Sequence, residues 1–371
     1  MGLVSALGWS VNECWDRLLQ GETAIRLRQP FSELPVIPVA MVGKHPAQVR
    51  DLLLPALAEA LEDAELDNPL PDCGVVIGSS RSFQGQIEAM ALPWLSEGMS
   101  PDGALWMESL PHMAAMTVAQ SVGSTGPVMA PMAACATGLW AIFQGAELIR
   151  QGRCDRAIVG AVEAPLTPLT IAGFQKMGAL AKTGCYPFSP LREGLVLGEG
   201  AAVLMLESAE ALARRSRRSV YGQILGSGFS ADAYHMTTPD PTGSGGSIAL
   251  HNCLQRSGLR PPDIHYIHPH GTSTELNDQL EASLIQTNFP QLPPISSTKG
   301  ATGHTLGASG AIEAIFSLLA LKHQILPPNV GLIGEAIYPN LVRAAKPQTL
   351  EAALCFSFGF AGQNAVLAFG Q

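Results

Sequence analysis

The chain has no apolar run approaching the roughly 20 residues that a membrane-spanning helix needs. Its first residues also lack the charged-then-apolar pattern of a secretory signal. A cytoplasmic or organelle-stromal location is therefore expected. The 7 cysteines are odd in number and show no paired spacing, which argues against a disulfide framework and fits a compartment where thiols stay reduced. No Lys/Arg cluster able to displace counterions from phosphates is present, and with a net charge of −9 nucleic acid is disfavoured as a partner. Charge itself is scarce, at 14% of the 371 residues. Beside 38 Gly and 28 Pro, that scarcity argues against disorder and for packed layers joined by many short turns. Short-period repeats and low-complexity linkers are absent too.

What is present is enough apolar material, 47% of the chain, for a large core in two compact domains or two fused halves. Gly74–Gly78, Arg156–Gly160 and Ala201–Leu206 are apolar, partly β-branched and bounded by Gly or charge, which predicts buried strands. Between them, Leu52–Leu66 and Gly138–Gln151 carry apolar residues at three and four spacing, the second stopping at Gly152. The second half repeats the theme. Tyr266–Ile267, Ala353–Phe356 and Ala365–Phe369 read as strands, and Gln279–Gln286 and Ala308–His323 as helices. Alternating strands and helices predict an α/β layered fold. The halves divide at 1–207 and 208–371, within the stretch Glu207–Tyr221, whose basic run Arg214–Arg218 reads as a solvated helix end.

Four segments carry chemistry. In Met132–Gly138 a thiol, Cys135, lies among small residues directly ahead of a helical pattern. A helix N-terminus favours thiolate over thiol, so a lowered pKa and a nucleophile are expected. The plainer reading of an isolated Cys in such a setting is a buried structural residue. His268-Pro269-His270-Gly271-Thr272-Ser273-Thr274 places an imidazole just beyond a strand, followed by Gly and hydroxyls, as a ligand loop would. With His265 it offers three histidines, but 265 and 268 face opposite ways on a continuing strand, which disfavours a metal. Ser296–Gly310 holds Lys299 and His304 in a Gly-rich turn before an apolar helix. The Gly and Lys order does not match a phosphate-binding loop, and no acidic Mg²⁺ partner is evident. Phe356–Asn364 forms a tight aromatic and Gly turn whose N–H groups suit an oxyanion hole.

Taken together, in this order and spacing, the Cys, the His in a Thr-rich loop, the Lys and His, and the Phe-Gly turn resemble the elongating β-ketoacyl synthases of the thiolase-like superfamily. Gly126-Pro127, Gly198-Glu199-Gly200-Ala201 and Asp232–Thr237 also fit that pattern, and the resemblance covers nearly the whole chain. It implies a thiolase-like fold of two similar α-β-α-β-α halves. The implied reaction is a decarboxylating condensation, in which Cys135 takes an acyl group from acyl-carrier protein and malonyl-carrier protein then supplies an enolate. His270 and His304 would stabilise that enolate, and Lys299 would tune the pair. Glu281 would pair with Lys299, with Phe358 as a further supporting residue. The N–H groups of Cys135 and Phe360 would hold the thioester oxyanion, and Phe360 would gate the pocket. Thr272 and Thr274 would bind phosphopantetheine, which arrives on the carrier, so no metal or other cofactor is implied. Lys176, Lys182 and Arg192 are candidates for a basic mouth facing the acidic carrier. A C2 homodimer is expected, with Leu105–Met116 contributing to its interface.

The chain departs from the family pattern in several places. The family's first strand is not found ahead of Gly2-Leu3-Val4, which predicts an unfilled central slot in the first sheet. The loop between Ala181 and Pro187 is short, Ser189 stands for Asp, Ala361 for Gly and Phe356 for Asn. These differences keep open a ketosynthase of a specialised polyketide or glycolipid pathway. A thiolase would need a second catalytic Cys in a late Gly-rich motif, whereas Cys355 lies on the preceding strand. A silent chain-length-factor-like partner would lack the thiol.

Overall fold

The computed structural model describes residues 1–98, 103–215 and 220–371. Its core is two sheets with helices outside and between them. The first sheet takes β1 (Gly2–Ser5), β2 (Gly74–Gly78), β3 (Val128–Met129), β4 (Arg156–Glu163) and β5 (Gly200–Glu207), in the order β1-β5-β4-β2-β3. Strands β2, β3 and β4 run parallel, while β5 is antiparallel to β4 and to β1. The second sheet takes β6 (Gln223–Ala231), β7 (Tyr266–His268), β8 (Ala352–Gly359) and β9 (Gln363–Gly370), in the order β7-β8-β9-β6. Both sheets are covered on both faces, which is why their strands read as continuous apolar runs rather than alternating ones.

Helices α1 (Val49–Ala64) and α2 (Met113–Val122) pack outside the first sheet, and α4 (Ser244–Ser257) packs outside the second, where α5 (Glu275–Asn288) buries Ala282 and Ile285 in the same core. Between the sheets lie α3 (Thr137–Arg150) and α6 (Ser309–His323). Helix α6 is buried from Ser309 to Leu321, as a helix enclosed on all sides must be, and its residues are accordingly apolar nearly all round. The two central helices touch through glycine. A Cβ on Gly138 would lie 2.4 Å from the Ala311 backbone nitrogen, and one on Gly310 would lie 2.8 Å from Leu139 Cγ. This close crossing brings the N-terminal ends of both helices to one place.

The expected gap in the first sheet is not there. Gly2–Ser5 is itself a strand, and it stands at the edge, paired with Gly200–Val203, so the sheet is continuous. Strand β1 covers only the first half of β5. Among the described residues nothing pairs with Leu204–Glu207 on that side, and a groove of about 1300 Å³ opens beside it, lined by Met1, Ile142, Leu206, Tyr221 and Phe369 among others. Cys135, His270, Lys299 and His304 do not line that groove. The basic run follows a short helix, Ala209–Ala213; Arg214 and Arg215 pair with Asp155 and Glu207, and residues 216–218 of the run lie outside the described ones.

Candidate active site

Cys135 sits in the turn between β3 and α3. Ala134, just before it, takes the left-handed φ of 48°, and Thr137 pins the turn by accepting from the Ala133 N–H at 2.8 Å. The Cys135 carbonyl accepts from Ser357 Oγ of β8 at 2.8 Å. Gly359 permits this closeness, since a Cβ there would lie 3.0 Å from the Cys135 nitrogen. The thiol is therefore held between the turn into α3 and strand β8 of the second sheet.

The helix end does not lower the thiol's pKa as expected. Burial pushes it up to about 11, against the Lys299 charge and a hydrogen bond from the Phe360 N–H, which both pull it down. Removing a thiolate from water outweighs the helix end in this enclosed place. The proton acceptor is on hand instead. His304 Nε2 lies 3.2 Å from the sulfur, and its Nδ1 lies 2.8 Å from Ser309 Oγ at the start of α6.

His270 follows β7 and faces His304, with ring centroids 5.2 Å apart at 79°. The Lys299 ammonium is 3.3 Å from His270 Nδ1 and also donates to the His270 carbonyl. A donor at Nδ1 leaves the ring proton on Nε2, aimed away from the lysine and available to an anion. Burial and the Lys299 charge hold both imidazoles well below the usual histidine range, so they are neutral near pH 7. Phe358 backs the site with its ring 6.3 Å from that of His270.

Glu281 does not pair with Lys299. Its carboxylate accepts from the backbone N–H groups of His270, at 2.5 Å, and Gly271, at 2.7 Å, so it shapes the loop. The ion-pair partner of Lys299 is Glu313 of α6. Burial raises the Glu313 carboxyl, to about 7, and the adjoining ammonium opposes that rise. A single carboxylate inside an otherwise apolar helix was the signal in the sequence. Two further buried acids were also passed over. Asp278 accepts from the N–H groups of Phe188, at 2.8 Å, and Ser273, at 3.2 Å. Glu163 binds Ser79, Ser80, Arg81 and Gly307.

Thr272 and Thr274 share a hydrogen bond of 2.9 Å beside the His270 loop. Phe360 is half-buried against Phe174, with centroids 6.0 Å apart, and Ala361 after it adopts a left-handed φ of 59°. Lys176 and Lys182 are exposed, while Arg192 donates to the Ser189 carbonyl at 3.1 Å. His265 is not brought to the other histidines. Among the described residues the compact donor groups are Cys135 with His270 and His304, and His268 with Glu313 and Cys355. In the second group Lys299 already supplies positive charge to Glu313, and both His268 nitrogens are engaged by Pro269 and Thr298.

The chain resembles known proteins over its full length. Residues 44–211 match the model of the β-ketoacyl synthase N-terminal domain, and residues 221–332 match that of the C-terminal domain. A 3-oxoacyl-[acyl-carrier-protein] synthase 2 of Staphylococcus aureus is 35% identical over 100% of this chain and 99% of its own length. Among solved structures, a ketosynthase complex with a type II polyketide acyl-carrier protein and a hexaketide matches with a TM-score of 0.92 at 27% identity, covering 100% of this chain and 97% of that one. A ketosynthase of Xenorhabdus doucetiae, solved with its chain length factor, matches with a TM-score of 0.86 at 29% identity, covering 100% and 96%. With a thiolase-like α/β fold and both domain models matched in order, the chain belongs to the β-ketoacyl synthase family.

Proposed function

We propose that this chain is a 3-oxoacyl-[acyl-carrier-protein] synthase, an acyltransferase that condenses malonyl-carrier protein with a Cys135-bound acyl group in fatty-acid chain elongation. The observation that carries this reading is the 3.2 Å contact between Cys135 Sγ and His304 Nε2, beside a second imidazole held by a lysine. In the first stage the thiol gives its proton to His304, and sulfur attacks the carrier-bound thioester. The carbon–sulfur bond to the carrier breaks, and the departing thiolate takes that proton. The N–H of Phe360, already directed at the sulfur, and that of Cys135 would receive the oxyanion.

In the second stage the malonyl carbon–carboxylate bond breaks, CO2 leaves, and its electron pair passes into an enolate. Neutral imidazoles suit this step, because a ring N–H from His270 stabilises charge that exists only after the bond has begun to break. The enolate carbon attacks the Cys135 thioester and expels the Cys135 thiolate, which takes a proton from solvent to restore the thiol. Every group needed arrives on the carriers' phosphopantetheine, for which Thr272 and Thr274 are the proposed ligands. The chemistry thus calls for no metal or redox cofactor. The reading draws its carrier from the relatives' names, and exposed Lys176 and Lys182 remain its proposed docking charges.

A homodimer completes the proposal. The edge strand β3 and its surroundings expose Met129 and Met132, and Leu105, Trp106 and Met107 are exposed in the stretch 105–116. The alternative pairing, with a second chain as in the Xenorhabdus complex, would show as a monomer or weak dimer in sedimentation.

The deciding experiment is intact-protein mass spectrometry after incubation with acyl-carrier protein, and then with malonyl-carrier protein. An acyl mass on the wild type, absent from Cys135→Ala and discharged as 3-oxoacyl product, is the expected result. No acyl mass with any chain length would overturn it.

A further inference from the structure

The apolar side chains packed with Cys135 are where an acyl group on its sulfur would meet the protein. Leu166, Ile171, Phe174 and Leu306 form a single cluster with Cys135, and Phe360 packs against it. The aromatic part of that wall runs from Phe360 to Phe174 and ends on a cation, because the Arg81 guanidinium lies 5.5 Å from the centre of the Phe174 ring.

Arg81 is fixed in place by its backbone. Its N–H donates to Glu163 at 2.9 Å, and the same buried carboxylate accepts from Gly307 N–H at 3.0 Å, three residues after His304. The side chain is half-buried, and among the described residues no carboxylate pairs with its guanidinium. Such a cation at the end of an apolar wall does not suit a saturated chain, which would strip its water and return no hydrogen bond. Oxygen acceptors reverse that balance, and the planar guanidinium binds them in pairs.

We propose that Arg81 is a specificity-determining residue that selects acyl groups carrying a carboxylate or carbonyl oxygen at their far end over saturated ones of equal length. The Phe360–Phe174–Arg81 path carries this inference, which rests on the condensing function proposed above. The oxygen has two chemical sources: an acyl group made from a dicarboxylic acid, or a keto group left by an earlier condensation.

The test compares wild type, Arg81→Met and Arg81→Lys in the rate of Cys135 acylation. Three carrier-bound acyl groups of equal length are used: saturated, ending in carboxylate, and bearing a far keto oxygen. The wild type is expected to favour an oxygen-bearing group about tenfold or more in kcat/KM. Arg81→Met should lose that preference while gaining rate with the saturated group, which also shows that the variant is folded. Arg81→Lys should keep part of the preference for carboxylate and lose that for the keto group. Preference for the carboxylate alone would identify the first source, and for the keto group alone the second. Acylation with equal selectivity in wild type and Arg81→Met would overturn the proposal. Absence of acylation in every protein would remove the condensing function and this proposal together.

Discussion

The Cys135 sulfur and His304 Nε2 lie 3.2 Å apart, with the thiol pushed up to about 11 and the imidazole kept neutral by burial. A thiol and a neutral base in contact can exchange a proton internally, so thiolate supply need not follow solvent pH. The wild type should therefore alkylate with iodoacetamide at a nearly constant rate across about pH 6.5 to 8. His304→Ala should be slower by about 100-fold near neutrality and should rise about tenfold per pH unit toward the thiol's own pKa. A wild-type rate that climbs just as steeply would contradict the pairing.

Lys299 and Glu313 form a buried pair in which each charge answers the other. Glu313→Ala leaves the ammonium uncompensated and should cost about 3 to 5 kcal/mol in denaturant unfolding. The double variant Lys299→Met with Glu313→Leu should recover most of that stability while condensation stays lost. Recovery of activity as well would show that the pair serves only packing.

Buried carboxyls give stability a pH slope of definite sign. Glu199 has its pKa raised to about 7 by burial, while its oxygens accept from the N–H groups of Val42 and Ala47. Between an ordinary Glu value and that raised one, the folded protein holds more proton than the unfolded chain. Its contribution is thus lost as pH rises. Chemical denaturation should show stability falling from about pH 6.5 to pH 8, above the range in which the buried, depressed His268, His270 and His304 oppose the trend, and Glu199→Gln should flatten the slope. A slope of the opposite sign, or one untouched by the substitution, would reject this account.

The crossing of the two central helices leaves no room at Gly138, where a Cβ would lie 2.4 Å from the Ala311 nitrogen. Gly138→Ala should cost about 1 to 3 kcal/mol despite alanine's better helix propensity, and should slow acylation because it parts Cys135 from His304. An unchanged melting temperature would mean that the helices shift without penalty.

The sequence made the ends of elements legible and the interiors of helices opaque. Cys135, His270, Lys299 and His304 all stand in turns where a strand or loop gives way to a helix, and small residues and glycines mark such places. Glu313 stands in the fifth position of a long apolar helix, and its role appears only when that helix is threaded between two sheets beside Lys299. The family resemblance implies Glu281 as the partner of Lys299, yet its oxygens bind backbone N–H groups. The direction of the thiol's pKa failed for a related reason. A helix end is local and readable, whereas burial is imposed by residues on other elements, from Leu166 and Phe174 to Leu306 and Phe360. Strand β1 was missed as an edge because four residues suffice where a neighbour such as β5 is already held on its other side.

The half-covered strand β5 has a practical consequence. Met1 lies opposite the start of Leu204–Glu207, which among the described residues has no strand partner on that side, so any residues ahead of Met1, such as an affinity tag, are aimed along its backbone donors and acceptors. A tag rich in β-branched residues would add its own strand there, and one rich in proline would not. Two preparations differing only in that leader would then differ in melting temperature and in their tendency to self-associate.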